Sequence, residues 1–182
     1  IPEGDKIKIT ENYEDADGWA ANRTVEKNLL DFDYLLSLEK ESYLEFIPYK
    51  QTDKLNIDDL QITFARNPHP LITYSTKVET EGIKFVYSSD TGYKENCLEE
   101  FALNANLLIC ESTFLRGQFK NNDNHLFAYE AAKIAKKANV DKLVLTHFWP
   151  SIDKQNYVDE ARVVFTNTEA ACEGKKLILR RK

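Results

Sequence analysis

The stretch Lys84–Tyr93, KFVYSSDTGY, constrains this chain more than any other. Phe85, Val86 and Tyr87 make the apolar run of a short buried strand. Ser88-Ser89-Asp90-Thr91-Gly92 is turn chemistry at its carboxyl end. A carboxylate at the mouth of a buried strand is costly unless it is paired or bound to a metal. Open α/β sheets also gather their ligands at the carboxyl ends of strands. Asp90 is therefore expected at the centre of a site. The three histidines of the chain sit in comparable positions. His69 lies between Pro68 and Pro70, His125 opens a helical pattern, and His147 follows Leu143-Val144-Leu145-Thr146.

The rest of the pattern describes one α/β domain over residues 1–182. Residues 19–42 read as an acidic helical segment, its periodicity running from Asn22 to about Glu41, and fit a lid or packing helix. Tyr43 to Tyr49 is a short extended run. Leu60, Ile62 and Phe64 alternate with polar or small residues as in a half-buried strand. Ile72 to Glu79 predicts another strand, turned by Thr80-Glu81-Gly82 into Ile83 to Tyr87. Asn96 to Asn104 reads as a helix, and Leu107 to Cys110 as a central strand covered on both faces. A helix capped by Asn124 is expected to run to about Asn139. A buried strand over Val140 to Thr146 follows, then a helix from Gln155 to Thr166 and a strand from Lys175 to Arg180.

Charge narrows the function classes. The net charge of −6 comes from residues 1–50, with 12 Asp/Glu against 6 Lys/Arg; the remainder is balanced at 18 against 18. No basic face stands out, which argues against a general nucleic-acid binder. The three cysteines are far apart and odd in number, as expected of free thiols in a reducing, cytoplasmic setting. No apolar run approaches the ~18 residues of a membrane span. The chain has no methionine and opens on Ile1-Pro2, so a piece of a longer protein is expected. No Gly-x-Ser-x-Gly turn supports a serine hydrolase.

One carboxylate and three imidazoles in strand-end loops form the usual ligand set for zinc and similar ions. Ser88-Ser89-Asp90-Thr91 resembles the strand-end aspartate motif of the metallo-β-lactamase superfamily, in its ribonuclease Z-like branch. In that branch a histidine precedes the aspartate by one hairpin, as His69 does. Its "apolar run, Glu, small residue, Thr" is similar to Leu108–Thr113. A histidine opening an Ala-rich helix corresponds to His125. A Leu-Thr-His sequence after a strand corresponds to Leu145-Thr146-His147. The likeness covers roughly residues 45–182.

The resemblance implies an αββα sandwich that is incomplete in this chain. It also implies a metal-dependent hydrolase cleaving phosphodiester bonds with two divalent ions, zinc or manganese. His69 and His147 would each bind one ion, and Asp90 would bridge them. His125 would face the substrate as proton or hydrogen-bond donor, with Glu111 and Thr146 as orienting partners. The family's His-x-His-x-Asp-His cluster is absent, which leaves two ligands per ion and implies weak or no metal binding by this chain alone. Ser89 stands where a glycine is common, and Phe127 where a hydroxyl residue is common. The substrate class implied is a small-molecule or nucleotide phosphodiester. The 3′ end of a precursor tRNA is an alternative disfavoured by the acidic 19–42 segment. No membrane partner is expected, and exposed sheet edges would favour self-association. The other reading is a metal-free binding or structural module of the same fold.

Overall fold

The alternating run at Leu60 folds as expected, into strand β2 (Leu60–Arg66), and its neighbours follow in sequence order. The structure is a computed structural model and describes residues 49–118 and 124–180. The acidic segment 19–42 and most of the run from Tyr43 lie outside the described residues. Residues Lys50–Lys182 constitute one compact unit.

Its sheet contains β1 (Lys54–Ile57), β2, β3 (Tyr74–Thr80), β4 (Ile83–Tyr87), β5 (Leu107–Glu111), β6 (Leu143–Thr146) and β7 (Thr168–Ala170), each beside its sequence neighbour. The first four are antiparallel and the last four parallel. The β3–β4 hairpin closes through Glu81 (φ 42°) and Gly82 (φ 84°), the pair of left-handed residues a tight hairpin turn requires. Three helices supply the parallel crossovers: α1 (Cys97–Phe101), α2 (Ala128–Lys137) and α3 (Lys154–Arg162). Ala128, Ala131, Ala132, Ala135 and Ala138 are fully buried, so α2 lies close against the sheet. Leu107 and Leu108 on β5, and Leu143 and Val144 on β6, are buried on both faces of their strands, as a continuous apolar run predicts.

One strand is new, and three expectations are corrected. β1 has no counterpart among the expected elements; it is a four-residue, largely exposed edge strand, held by pairing Ile57 with Leu60 across Asp58-Asp59. The helix after His125 begins at Ala128, not Asn124. Its first amides find other acceptors: Ala128 N donates to Phe114 O (2.9 Å) and Tyr129 N to Glu160 Oε1 (3.0 Å). The last helix stops at Arg162, because Thr168–Ala170 pairs with β6 as β7. Lys175–Arg180 forms no strand.

Ser89 has φ 53°, the left-handed region that costs an L residue roughly 1–2 kcal/mol. This is the position where the resemblance expects glycine. Ser89→Gly should therefore match or exceed the native stability in urea unfolding, because relieved strain offsets the freer unfolded chain. Ser89→Val should lose about 1–2 kcal/mol. Equal stability of the serine and valine forms would contradict this.

Candidate metal centre

Strand polarity gathers the expected residues at one edge. β2, β4, β5 and β6 all run toward the same side of the sheet. The loops that follow them carry His69, Asp90, Thr113 and His147, and His125 lies just before α2. The His125 ring centroid is 5.4 Å from that of His69 and 5.2 Å from that of His147. His147 Nε2 is 3.8 Å from Asp90 Oδ1. The four residues singled out in the sequence thus meet in one place.

Two of the loops are tied together by Asn67, which sequence reasoning did not single out. Its Nδ2 donates to Ser88 O (2.7 Å) and Asp90 O (3.0 Å), and its Oδ1 accepts from Ser75 N (3.2 Å). Thr73 Oγ1 also donates to Asp90 O (2.8 Å). Arg66 spans the other loop, donating to Asn67 O (2.7 Å) and His69 O (3.3 Å). Asp90 is thus aimed by its backbone, which leaves its carboxylate toward the histidines.

Glu111 joins the remaining pieces. It is 1% exposed, at the end of β5. Oε1 accepts from Thr91 N (2.7 Å) and His125 Nδ1 (2.9 Å). Oε2 accepts from Thr113 Oγ1 (2.9 Å) and Leu126 N (3.1 Å). The Thr113 hydroxyl has one proton and gives it to Glu111, so it accepts from His147 Nδ1 at 2.7 Å. Both rings therefore carry Nδ1–H, and His147 keeps its Nε2 lone pair toward Asp90. The hydroxyl on the His147 ring is that of Thr113; Thr146 contributes its carbonyl, which accepts from Ser112 N (2.9 Å) and Oγ (3.1 Å). His69 differs, because its Nδ1 accepts from Leu71 N (3.2 Å). With that bond made, the neutral ring holds its proton on Nε2.

Burial opposes a charge on His125, but the hydrogen bond and charge of Glu111, with the charge of Asp90, outweigh it and raise its pKa above 6.5. Burial, then the neighbouring His125, lower the pKa of His69. In the metal-free chain the two act in opposite pH windows. His125 contributes fully below its unfolded value of ~6.5 and loses the contribution as pH rises through its raised folded value. His69 contributes fully above ~6.5 and loses it as pH falls through its lowered folded value. Urea midpoints measured in EDTA from about pH 5 to about pH 8 should therefore peak near ~6.5. His125→Asn should flatten the alkaline limb and His69→Asn the acidic one. A flat native profile would be incompatible with these environments.

Residues 9–148 match the family model described as the β-lactamase superfamily domain. The chain belongs to the metallo-β-lactamase superfamily. It is 29% identical over 135 residues to the probable metallo-hydrolase YhfI of Bacillus subtilis (strain 168), covering 74% of this chain and 55% of that protein. It is 35% identical over 107 residues to ribonuclease Z of Clostridium perfringens, covering 56% of this chain and 33% of that enzyme. The crystal structure of the metallo-β-lactamase fold protein YhfI from Bacillus subtilis matches with a TM-score of 0.65 at 28% identity, over 74% of this chain and 58% of that one. This superfamily member thus spans 33–55% of the length of these two curated relatives.

Metal binding, which the superfamily implies, can be tested on the donor set. Ligand atoms of His69, Asp90 and His125 lie within 4.8 Å of one another, as do those of Glu111, His125 and His147. The second group fails chemically, because Glu111 already accepts from at least four donors and a carboxylate offers about four lone-pair sites. The Asp90–His147 pair fits: an open carboxylate faces an imidazole nitrogen held in the ligand tautomer, with a hydrogen-bonded group behind the ring. His69 fits only if it gives up the bond from Leu71. Among the described residues, no helix is long and apolar enough to cross a membrane.

Proposed function

We propose that this chain carries the carboxyl-terminal side of the active site of a metal-dependent phosphodiester hydrolase. The observation that carries this reading is the convergence of Asp90 and the three histidines on one edge of the sheet, with Glu111 buried behind them. Likeness to proteins named metallo-hydrolase and ribonuclease Z supports it. His69, Asp90 and His147 would hold two divalent cations, zinc or manganese, together with residues outside this set. Bound cations would supply Lewis acidity and a nucleophilic water at neutral pH for an in-line displacement.

The chain's own groups have separate tasks. Thr113 keeps the proton of His147 on Nδ1, so that Nε2 stays a ligand atom. Glu111 holds His125 by Nδ1 and favours its protonated form, which leaves Nε2–H to donate to the scissile phosphate or the departing oxygen. Asn67 and Thr73 fix the backbone that aims Asp90.

The test is turnover of bis(p-nitrophenyl) phosphate by the full-length gene product with zinc or manganese, beside its His147→Ala form. Metal-dependent turnover lost in the variant is expected; none above that control would overturn the reading in favour of a metal-free binding module. A precursor tRNA in a parallel arm separates an RNA 3′ end from a small diester as substrate.

A further inference from the structure

Among the four residues gathered at the centre, only His147 has a left-handed backbone, at φ 57°. A residue other than glycine stays in that region where its surroundings hold it. The chain is held on both sides of His147. Before it, Thr146 O accepts from Ser112 N (2.9 Å) and Ser112 Oγ (3.1 Å). After it, Trp149 O accepts from Ile152 N (3.1 Å), and Trp149 N donates to Tyr157 Oη (3.2 Å). Tyr157 belongs to α3 and is fully buried. Its hydroxyl donates to Thr113 O (3.1 Å), and its ring packs against Phe148 with centroids 5.0 Å apart. A buried tyrosine hydroxyl needs a hydrogen-bond partner, and one carbonyl would suffice. This one instead spans two loops, giving its proton to the loop after β5 and accepting from the loop after β6. Those loops carry the two ends of the bond between Thr113 Oγ1 and His147 Nδ1 (2.7 Å). A slip of about 1 Å between them would stretch that contact out of hydrogen-bonding range.

We propose that Tyr157 is a positioning residue for metal capture. Its hydroxyl keeps Thr113 and His147 in register, so that the imidazole retains its proton on Nδ1 and presents Nε2 to a cation. The proposal rests on the reading of His147 as a metal ligand. Tyr157 has no exposed surface of its own, so its effect passes through the Thr113 hydroxyl.

The full-length gene product and its Tyr157→Phe form are compared for zinc affinity by competition with a chromophoric chelator. Phenylalanine keeps the ring against Phe148 and removes only the hydroxyl. The variant should bind zinc about tenfold more weakly, the lower end of the range for groups that orient a metal-ligating histidine. Thr113→Val combined with Tyr157→Phe should bind at most about threefold more weakly than Thr113→Val alone, because both changes act on one bond. Val158→Ala, the next residue of α3 and also buried, is the control for lost packing. It should lower the urea midpoint and leave zinc affinity within about threefold of native. In the metal-free protein near about pH 8, where an ordinary imidazole is neutral, two-bond nitrogen–proton correlations report the tautomer. His147 should be the Nδ1–H form in the native chain and a mixture in Tyr157→Phe. Should Tyr157→Phe fail to fold, deuterium exchange of the native chain decides. The Trp149 amide should then be protected like that of Val158, and exchange as fast as an open loop overturns the proposal. So does a zinc loss in Val158→Ala as large as in Tyr157→Phe, or losses that multiply in the double variant. Zinc binding weakened by His147→Ala but not by Tyr157→Phe sinks the proposal and leaves His147 a ligand. Zinc binding untouched by His147→Ala sinks the ligand reading, and the tautomer alone then decides whether Tyr157 positions the ring.

Discussion

Glu111→Ala is expected to cost about 3–5 kcal/mol of folding stability, the range for breaking a buried pair by removing one partner. The side chain is 1% exposed and accepts from three separate segments, two of them 14 to 20 residues away. Thr91 N reaches it from the loop after β4, Thr113 from the loop after β5, and His125 Nδ1 and Leu126 N from the approach to α2. Alanine would strand these donors where little water can replace the carboxylate, and each buried donor left unmade costs ~1–3 kcal/mol before relaxation. Glu111→Gln keeps the shape and one acceptor but turns an N–H group toward N–H and O–H donors. Its cost should be smaller, about 1.5–3 kcal/mol. Both variants should also lose the alkaline limb of the stability profile, because the pKa of His125 is raised chiefly through Glu111. Urea unfolding near neutral pH measures the cost. A loss below about 1 kcal/mol for alanine would show that these hydrogen bonds close no more than a local turn.

How far this arrangement was legible in the sequence depended on how local the deciding interactions were. The strand ends at Tyr87, Glu111 and Thr146 follow from apolar runs ended by polar residues, and the hairpin at Glu81-Gly82 from turn chemistry; both signals lie within a few residues. Parallel order then brings the loops to one edge without further information. The start of α2 was not legible, because Phe127 has no capping oxygen and the helix amides are met by Phe114 O and Glu160, far away in the chain. β7 was missed because a polar three-residue strand is defined only by its partner, whereas the alternation of Leu177 and Leu179 finds no strand to pair with among the described residues. The orienting hydroxyl was sought at Thr146 because it adjoins His147. Successive side chains in a strand point to opposite faces, so a sequence neighbour is poorly placed for that task. Thr113 reaches the ring across the β5–β6 edge, and Glu111, two residues before it, accepts its proton.

Thr113→Val should weaken zinc binding by the full chain by about 10–100-fold, the usual price of losing a group that orients a metal-ligating histidine. Valine keeps the volume and branching of threonine, so the loop retains its shape and only the hydroxyl is lost. Without it, His147 Nδ1 has no acceptor at 2.7 Å, and the ring is free to carry its proton on Nε2, the atom that faces Asp90. Little else restrains the ring, since the side chain is 47% exposed and its backbone is in the left-handed region at φ 57°. Competition with a chromophoric chelator reads the affinity directly and needs no catalysis. Thr113→Ser restores the hydroxyl and should return the affinity to within about threefold of the native value. Zinc held as tightly by the valine form as by the native chain would mean that His147 is oriented by other means, or that it is not a ligand.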